Sequence, residues 1–504
     1  MTAQAARPTA PGRPPTKPRP VAQSSGAATS LALVGAVVTT IANFGIAIMV
    51  TRAGAAFAGL FFAATAVVTI LGNSSALGTM TGLVYFMPAA LAIPNPELDP
   101  NPRALLQVAL RPVVGAGLGV AAALLIVADP LASLIADNGA DQVTAMLRVL
   151  AVAVPCWGVT VSLLGATRGL GSMTPTVVVN QILRPLGQLG LVAAVVATQA
   201  VPSGQAIAVA WGLPVVAGVG ASVFSVWRLG GFVGGGTSPV SSAEFWHYAR
   251  PRAASTTFQI ALERIDVIIV SALAGEAAAG VYGALSRFIT AGNFLIFAIG
   301  QATSSQLRRA LAADRRAEAQ ALLAKTTSWM VLLAWPYFLV IAIKAGVLAS
   351  LLSPEFDVGA SALTILAIAM LASAFAGPVD LTLLMLGRTK ESLAITVVAL
   401  IIDLAIAAYA IPRFGLVGAA LAWGAAVIVQ NGLAALRIHR LGQLRAGGRP
   451  AVIAGLGALV AVVPIGLITP DHLGGTLATV ILGGTIWLMV AASFRRQLGL
   501  VRHS

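Results

Sequence analysis

Long apolar runs recur along this chain from Ser30 to Ala492, and they constrain its fold more than any other feature of the sequence. A helix that rises about 1.5 Å per residue needs about 20 apolar residues to cross about 30 Å of hydrocarbon. The runs are continuously apolar, without the in–out alternation of a membrane barrel strand. The sequence therefore predicts an all-α polytopic membrane protein. Its fourteen predicted spans are 30–51, 57–77, 112–134, 147–166, 174–198, 206–227, 254–273, 281–302, 327–350, 362–386, 392–411, 415–435, 451–469 and 474–493.

The composition and the placement of charge agree with this prediction. Hydrophobic residues make up 58% of the chain and charged residues 10%, against roughly 45–50% and about 25% in soluble proteins. With the N-terminus in the cytoplasm, the predicted cytoplasmic segments hold 24 of the 31 basic residues and the opposite side holds four. The positive-inside rule therefore predicts a multi-pass cytoplasmic-membrane protein with both termini in the cytoplasm. It also explains the net charge of +14 without a nucleic-acid partner.

Two pairs of similar stretches indicate an internal duplication. AGAAFAGLF, at 53–61, resembles AGEAAAGVY, at 274–282, and LRVLAVAV, from Leu147, resembles LTILAIAM, from Leu363. Six predicted spans separate equivalent points in both pairs. A repeat of this length predicts two pseudo-symmetric six-helix lobes around a central cavity, with the last two spans outside the repeat.

On this prediction the chain divides into five segments. They are a Pro-rich, basic, disordered cytoplasmic tail (1–29), an N-terminal six-helix lobe (30–229), a cytoplasmic linker (230–252), a C-terminal six-helix lobe (253–441), and two additional transmembrane helices with a cytoplasmic tail (442–504). The loop from Ser304 to Thr326 places leucines and alanines at helical spacing beside a basic face. That pattern is typical of a helix lying on the inner leaflet or of a solvated connector.

A charge inside a predicted span is costly and therefore points to function, and seven of these charges are the candidate functional residues. They are Arg184, Glu263, Arg264, Asp266, Arg287, Asp380 and Asp403. Glu263 and Asp266 are three residues apart and share a helix face, while Arg264 projects about 100° away. A carboxylate pair in a wet cavity can bind a proton or sodium ion, and an arginine there can pair with an anionic head group. The alternative is a helix–helix ion pair, with Arg184 or Arg287 as the partner of Glu263 or Asp266.

A polar stripe surrounds one of these charges. Asn180, Arg184 and Gln188 repeat every four residues and share a helix face, which predicts that this face lines the cavity and contacts substrate. Pro185 frees a backbone carbonyl one turn earlier, because proline lacks an NH group.

The sequence gives little support for catalysis. Cys156 is the only cysteine, and the four histidines form no Ser/His/Asp or Cys/His arrangement and no metal-ligand spacing. Asp380 and Asp403 are isolated in apolar helices, where Arg287 is a possible partner for either. The prediction is a protein that is not an enzyme and that has no cofactor.

Several motifs resemble the polysaccharide flippase branch of the multidrug/oligosaccharidyl-lipid/polysaccharide exporter superfamily. They are ERIDVIIVSALAGEAAAGVYGALSRF (263–288), LLSPEF ending at Phe356, LTILAIAM (363–370), LLMLGRTKESL (383–393), IPRFGLVGAALAW (411–423), and the first-half stretches RAGAAFAGLFFAATAVVTIL and LLGATRGLGSMTPTVVVNQILRP. The resemblance implies a flippase that moves lipid-linked oligosaccharides, or related cell-envelope intermediates, by alternating access of two lobes.

The resemblance also implies roles for the charges. Arg184, Arg264 and Arg287, with Asn180 and Gln188, are expected to bind the head group of a polyprenyl-pyrophosphate-linked saccharide within the membrane lipid. Glu263, Asp266, Asp403 and Asp380 are expected to couple H+ or Na+.

Three other functions remain open on the sequence. Lipid II flippases resemble this chain but cluster arginine in the first lobe, where this chain has little. A cation-coupled multidrug exporter of the same superfamily would favour an aromatic, acidic cavity, and the fifth, seventh and eleventh spans offer few aromatics. A membrane glycan polymerase or ligase resembles proteins with a long outer loop, which the predicted spans do not leave room for.

Overall fold

The computed structural model describes residues 25–91, 101–199, 202–234, 240–442, 444–445 and 447–493. These residues form helices and no strands, so the predicted all-α fold is confirmed. Backbone groups in hydrocarbon have no water to bond, and a helix satisfies them within one segment. The helices of the first half are Ser25–Thr51 (α1), Ala55–Ser75 (α2), Thr79–Leu91 (α3), Pro102–Ile135 (α4), Ala140–Leu150 (α5), Ala153–Gly169 (α6), a π-helical segment Thr176–Leu183, Arg184–Thr198 (α7) and Gly204–Arg228 (α8).

The second half contains one helix that is broken in the middle. Gly415 has φ 53° and ψ −128° inside Thr389–Gly442, so this helix consists of two arms. The arms are antiparallel, because Gln430 near the end of one bonds Thr396 near the start of the other. The helices are Ser242–Ala274 (α9), Glu276–Ala312 (α10), Arg316–Ile343 (α11), Ala345–Ser350 (α12), a 3-10 helix Pro354–Gly359, Ala360–Ala376 (α13), Val379–Met385 (α14), Thr389–Gly442 (α15), Arg449–Ile468 (α16), Leu473–Ala478 (α17), a π-helical segment Thr479–Gly483 and Gly484–Ser493 (α18).

Every predicted span falls on a helix or on a pair of adjoining helices. By length and composition alone, ten helices in the described part of the chain can cross a membrane, or eleven when α5 and α6 count as one bent span. Both arms of α15 count as one of these helices, and α9, which carries three of the candidate charges, is not among them. The helical stretch Leu473–Met489 is also apolar but shorter than these helices, and π-helical turns interrupt it.

The connections differ from the predicted loops. Residues 304–312 and 316–326 extend α10 and α11 around a tight turn at Asp314. Leu307 and Leu323 are buried against the rest of the second half, so this stretch is neither a helix on the leaflet surface nor a solvated connector. Helix α9 likewise takes in the end of the predicted linker, from Ser242. Helix α1 begins at Ser25, inside the predicted disordered tail. The rest of that tail, residues 1–24, and residues 494–504 lie outside the described residues.

The two halves meet where α1 and α2 pack against α9 and α10. The term linker end denotes the end of the bundle at which α1 and α9 begin. At the opposite end, Gly59 of α2 faces Gly280 of α10. A Cβ atom on Gly59 would lie 1.8 Å from the Glu276 carbonyl oxygen. A Cβ atom on Gly280 would lie 1.9 Å from the Ala55 carbonyl oxygen. Only glycine allows this approach, and the two glycines are equivalent positions of the predicted repeat.

The last three helices pack on the outside of the second half. α16 lies against α11, and the Trp487 indole of α18 donates a hydrogen bond to the Leu332 carbonyl at 2.9 Å. Lys344 is fully buried, and its Nζ donates to the Thr469 carbonyl at 2.7 Å and to Asp471 at 2.8 Å. These contacts fix α16–α18 away from the interface between the halves.

Candidate functional site

A polar cavity of about 360 Å³ lies at the interface between the halves. The first half contributes α1, α2, α3, α6, the π-helical segment, α7 and α8 to its wall, and the second half contributes α9 and α10. Its charged lining residues are three arginines and one glutamate, a formal sum of +2. They are Arg184, Arg264, Arg287 and Glu263. Asn180 and Gln188 also line it, so the structure brings together all five residues predicted to bind substrate.

Arg184 sits directly after the π-helical segment, where the backbone is irregular. Pro185 cannot donate to the Gln181 carbonyl, and the Thr39 hydroxyl of α1 donates to that carbonyl instead, at 2.8 Å. The Arg184 guanidinium lies 4.6 Å from the Trp157 ring centroid, within cation–π range. Its Nε is buried without a hydrogen-bond partner, so this guanidinium retains an unused donor. Thr39 and Pro185 together hold the helix turn from which Arg184 projects.

The second half supplies the other two guanidinium groups. Arg287 on α10 lies 4.9 Å from the Phe62 ring centroid of α2. Arg264 on α9 is close enough to Arg184 and Arg287 to repel both. None of the three forms an ion pair within 4 Å in the described part of the chain. The alternative of a helix–helix ion pair is therefore not what the structure shows. A bound anion would offset the mutual repulsion and use the free donors.

Two of the predicted coupling residues lie behind the cavity wall. Asp266 and Asp403 are buried on α9 and α15 and lie close enough to interact electrostatically. The Tyr282 hydroxyl lies near both carboxyl groups but has no partner at hydrogen-bond geometry. One oxygen of Asp403, Oδ2, is also buried without a partner. Two carboxyl groups and a phenol with unused hydrogen-bonding capacity can take up a proton or a small cation.

Glu263 and Asp380 have other surroundings. Glu263 lines the cavity itself, where the Gln259 amide donates to it at 3.3 Å. Asp380 lies towards the linker end, where the Ser392 hydroxyl donates to its Oδ1 at 2.6 Å and Arg252 is nearby. The four predicted coupling residues therefore do not form one cluster, and Asp380 stands apart.

The sequence analysis did not predict several of the residues that line the cavity. Thr65, Thr69 and Asn73 of α2 line the cavity at the same four-residue spacing as the Asn180 stripe. That spacing was available as a signal, although no charge marked it. Four aromatic side chains also line the cavity, on spans other than the fifth, seventh and eleventh. They are Phe61, Phe62, Trp157 and Trp211. The expected shortage of aromatics is therefore wrong for the cavity as a whole.

Comparisons with known proteins agree with this architecture. Residues 251–409 match the MatE family. The structure of the lipid II flippase MurJ, in an inward closed conformation, is similar with a TM-score of 0.73 at 11% identity, covering 92% of this chain and 99% of that one. An inward-facing multidrug resistance MATE family transporter is similar with a TM-score of 0.63 at 18% identity, covering 82% of this chain and 97% of that one.

A MOP superfamily transporter from Pyrococcus furiosus is similar with a TM-score of 0.59 at 17% identity, covering 83% of this chain and 94% of that one. No curated protein matches the chain in sequence. The identities are too low to transfer a substrate, but the family match and the shared fold agree. Residues 251–409 thus match the MatE family, and the chain has the fold of these solved transporters.

Proposed function

We propose that the protein is a flippase that moves polyprenyl-pyrophosphate-linked saccharides across the cytoplasmic membrane. The observation that carries this proposal is the cavity between the halves, where three arginines face one glutamate. A guanidinium group is planar, stays charged, and bonds phosphate oxygens in pairs. A pyrophosphate head group carries the charge and the acceptors that this cavity lacks.

The shape of the interface suits alternating access. The two halves act in this proposal as two six-helix lobes, which the Gly59–Gly280 contact brings together on the side opposite the linker end. The positive-inside rule supports a cytoplasmic location for the linker end, because the basic loops lie there. Separation of the lobes at alternate ends would expose Arg184, Arg264 and Arg287 first to one leaflet and then to the other.

Coupling is assigned to the acidic residues of the second half. Asp266 and Asp403 lie together beside Tyr282, close to Arg264 and Arg287. A proton or Na+ bound there would change the electrostatic potential at the arginines, and thus the affinity for an anion. Glu263 faces the head group directly, and Asp380 is assigned to ion entry from the linker end.

Lipid II transport is the second candidate. Lipid II is itself a pyrophosphate-linked saccharide, and the similar MurJ structure is that of a lipid II flippase. The first half of this chain contributes only one arginine to the cavity, so a saccharide lipid other than lipid II remains our first choice. A multidrug exporter that takes up cations is disfavoured by the net positive cavity, although its aromatic residues would suit a planar drug.

Reconstituted proteoliposomes separate these functions. We expect the protein to translocate a fluorescent polyprenyl-pyrophosphate oligosaccharide, to translocate lipid II more slowly, and to leave a cationic dye in place. Depletion in cells should cause lipid-linked saccharides to accumulate in the inner leaflet. Dye export without movement of either lipid would overturn the flippase proposal, and faster movement of lipid II would favour the second candidate.

The coupling assignment needs a separate measurement. Transport by the native protein should depend on a gradient of H+ or of Na+, and Asp403→Asn should remove that dependence while head-group binding persists. Asp129→Asn is the control, because Asp129 is exposed, pairs with Arg148, and does not line the cavity. Retained ion dependence in Asp403→Asn would remove this carboxyl group from coupling.

A further inference from the structure

A second basic site lies outside the central cavity, at the linker end of the second half. A concave surface of about 670 Å³ is lined by Gln320, His439, Arg440 and Arg445. We call it the basic bowl. The Gln320 amide fixes its geometry: Nε2 donates to the Arg445 carbonyl at 3.1 Å, and Oε1 accepts from the Arg445 NH at 2.7 Å. The bowl thus joins α11, the end of α15 and the connection that leads to α16.

An apolar groove adjoins the bowl and shares Arg440 with it. This groove, of about 380 Å³, runs between the two arms of α15. Its walls are aliphatic, and Arg437 lies at its polar end, where it is ion-paired with Glu391. The aliphatic lining residues are Ala394, Ile395, Leu433 and Leu436. An apolar channel that opens into a cationic bowl matches a ligand with a hydrocarbon chain and an anionic head.

The arginines of the bowl are not neutralised by the protein. The acidic residues of the neighbouring helix ends pair with other arginines: Glu391 with Arg437 and Arg388, Glu318 with Arg315, and Asp314 with Arg316. No carboxylate among the described residues lies within 4 Å of Arg440 or Arg445. The charge of the bowl is therefore available to a ligand.

We propose that the basic bowl and the groove form a binding site for an anionic phospholipid, with the phosphate at Arg440 and Arg445 and an acyl chain between the arms of α15. Basic pockets between transmembrane helices bind anionic head groups because the arginines gain charge-assisted hydrogen bonds. A soluble anion uses only the bowl, and a zwitterionic lipid gains little from its charge. The bound lipid ties α15 to the connection to α16 and stabilises the docking of the last three helices.

Lipid titration of the purified full chain tests this proposal. Phosphatidylglycerol is added to the protein in a phosphatidylcholine nanodisc, and binding is followed by native mass spectrometry together with the thermal unfolding midpoint. We expect Arg440→Gln and Arg445→Gln each to weaken binding about fivefold. Arg413→Gln is the matched control, because it removes an arginine from the same broken helix at the opposite end of the bundle, and it should bind like the native protein.

The groove is tested separately from the charge. Leu436→Gln should weaken phosphatidylglycerol binding while leaving unchanged any stabilisation by glycerol phosphate. Unfolding midpoints in pure phosphatidylcholine identify variants that fold poorly. If Arg440→Gln folds poorly, Arg440→Lys is used in its place. Native-like lipid affinity in the arginine variants would overturn the site. Stabilisation by glycerol phosphate equal to that by the lipid would also overturn it, because the ligand would then be a soluble anion.

Discussion

The two halves of the bundle share a backbone design and differ in their charges. Gly54 and Gly275 precede α2 and α10 with φ values of 103° and 88°, and Gly59 and Gly280 meet each other across the interface. Of the seven candidate charges, however, the first half contributes only Arg184. The second half contributes two arginines and all four acidic residues. On the proposed function, the lobes would move as symmetric bodies, and the second half would handle protons or cations.

The largest effect is expected from Arg184, the one candidate charge of the first half. Arg184→Ala should lower transport of the lipid-linked saccharide about 10- to 100-fold, because a hydrogen bond to a charged group contributes about 1.5–3 kcal/mol. Membrane abundance should not change, since the Arg184 Nε has no hydrogen-bond partner in the protein. Flux in proteoliposomes measures the effect, with Arg413→Ala as control. Native flux in Arg184→Ala would place the head group wholly on the second half.

The interface glycines test whether the symmetry is real. Gly59→Ala and Gly280→Ala should destabilise the closed contact by a similar amount, about 1–3 kcal/mol, because each Cβ atom meets a backbone carbonyl that cannot yield locally. Thermal unfolding in detergent measures the loss. Gly220→Ala on α8 is the matched control, because nothing lies within 4 Å of its Cβ position. If only one of the two substitutions lowers the thermal stability, the two copies of the repeat motif do not play equivalent roles.

A smaller effect is expected from the support beneath Arg184. Thr39→Val removes the donor to the Gln181 carbonyl and should weaken head-group binding about fivefold, since a neutral hydrogen bond contributes about 1 kcal/mol. In a Pro185→Ala background the backbone NH of residue 185 can bond that carbonyl, so Thr39→Val should then have little effect. Thr39→Ser should retain binding in either background. Equal losses with and without Pro185 would show that Thr39 acts by packing alone.

The polar stripe was predictable because its spacing and its charge agree. Asn180, Arg184 and Gln188 lie on one helix face, and a charged face turned to lipid is costly, so the sequence located part of the cavity correctly. The α2 stripe of Thr65, Thr69 and Asn73 has the same four-residue spacing but carries no charge. Threonine can bond its own helix backbone, as Thr65 does with the Phe61 carbonyl, and such a residue gives little evidence of a cavity.

The aromatic walls and the helix extensions depend on tertiary contacts. A tryptophan in an apolar span, such as Trp157, is equally compatible with the protein core, with lipid contact or with a cavity wall. Only the positions of the neighbouring helices decide among these. The basic loop after α10 was misread for a related reason. Its leucines face the second half of the same protein and not the leaflet, and periodicity alone does not reveal which apolar surface a helix covers.

The smallest effect concerns the one residue that differs in charge between the two repeat motifs at the interface. Glu276 occupies the position of Ala55, and its Oε1 accepts from the backbone NH groups of Asn138 at 2.9 Å and Gly139 at 3.2 Å. The second half thereby forms hydrogen bonds to the loop of the first half that contains Asn138 and Gly139. Glu276→Ala gives the second copy the residue of the first, and hydrogen exchange at these two amides should become about two- to fivefold faster. Glu276→Gln retains an acceptor and should fall between the two. Unchanged exchange in Glu276→Ala would mean that the loop protects its own amides and that Glu276 does not join the halves at this end.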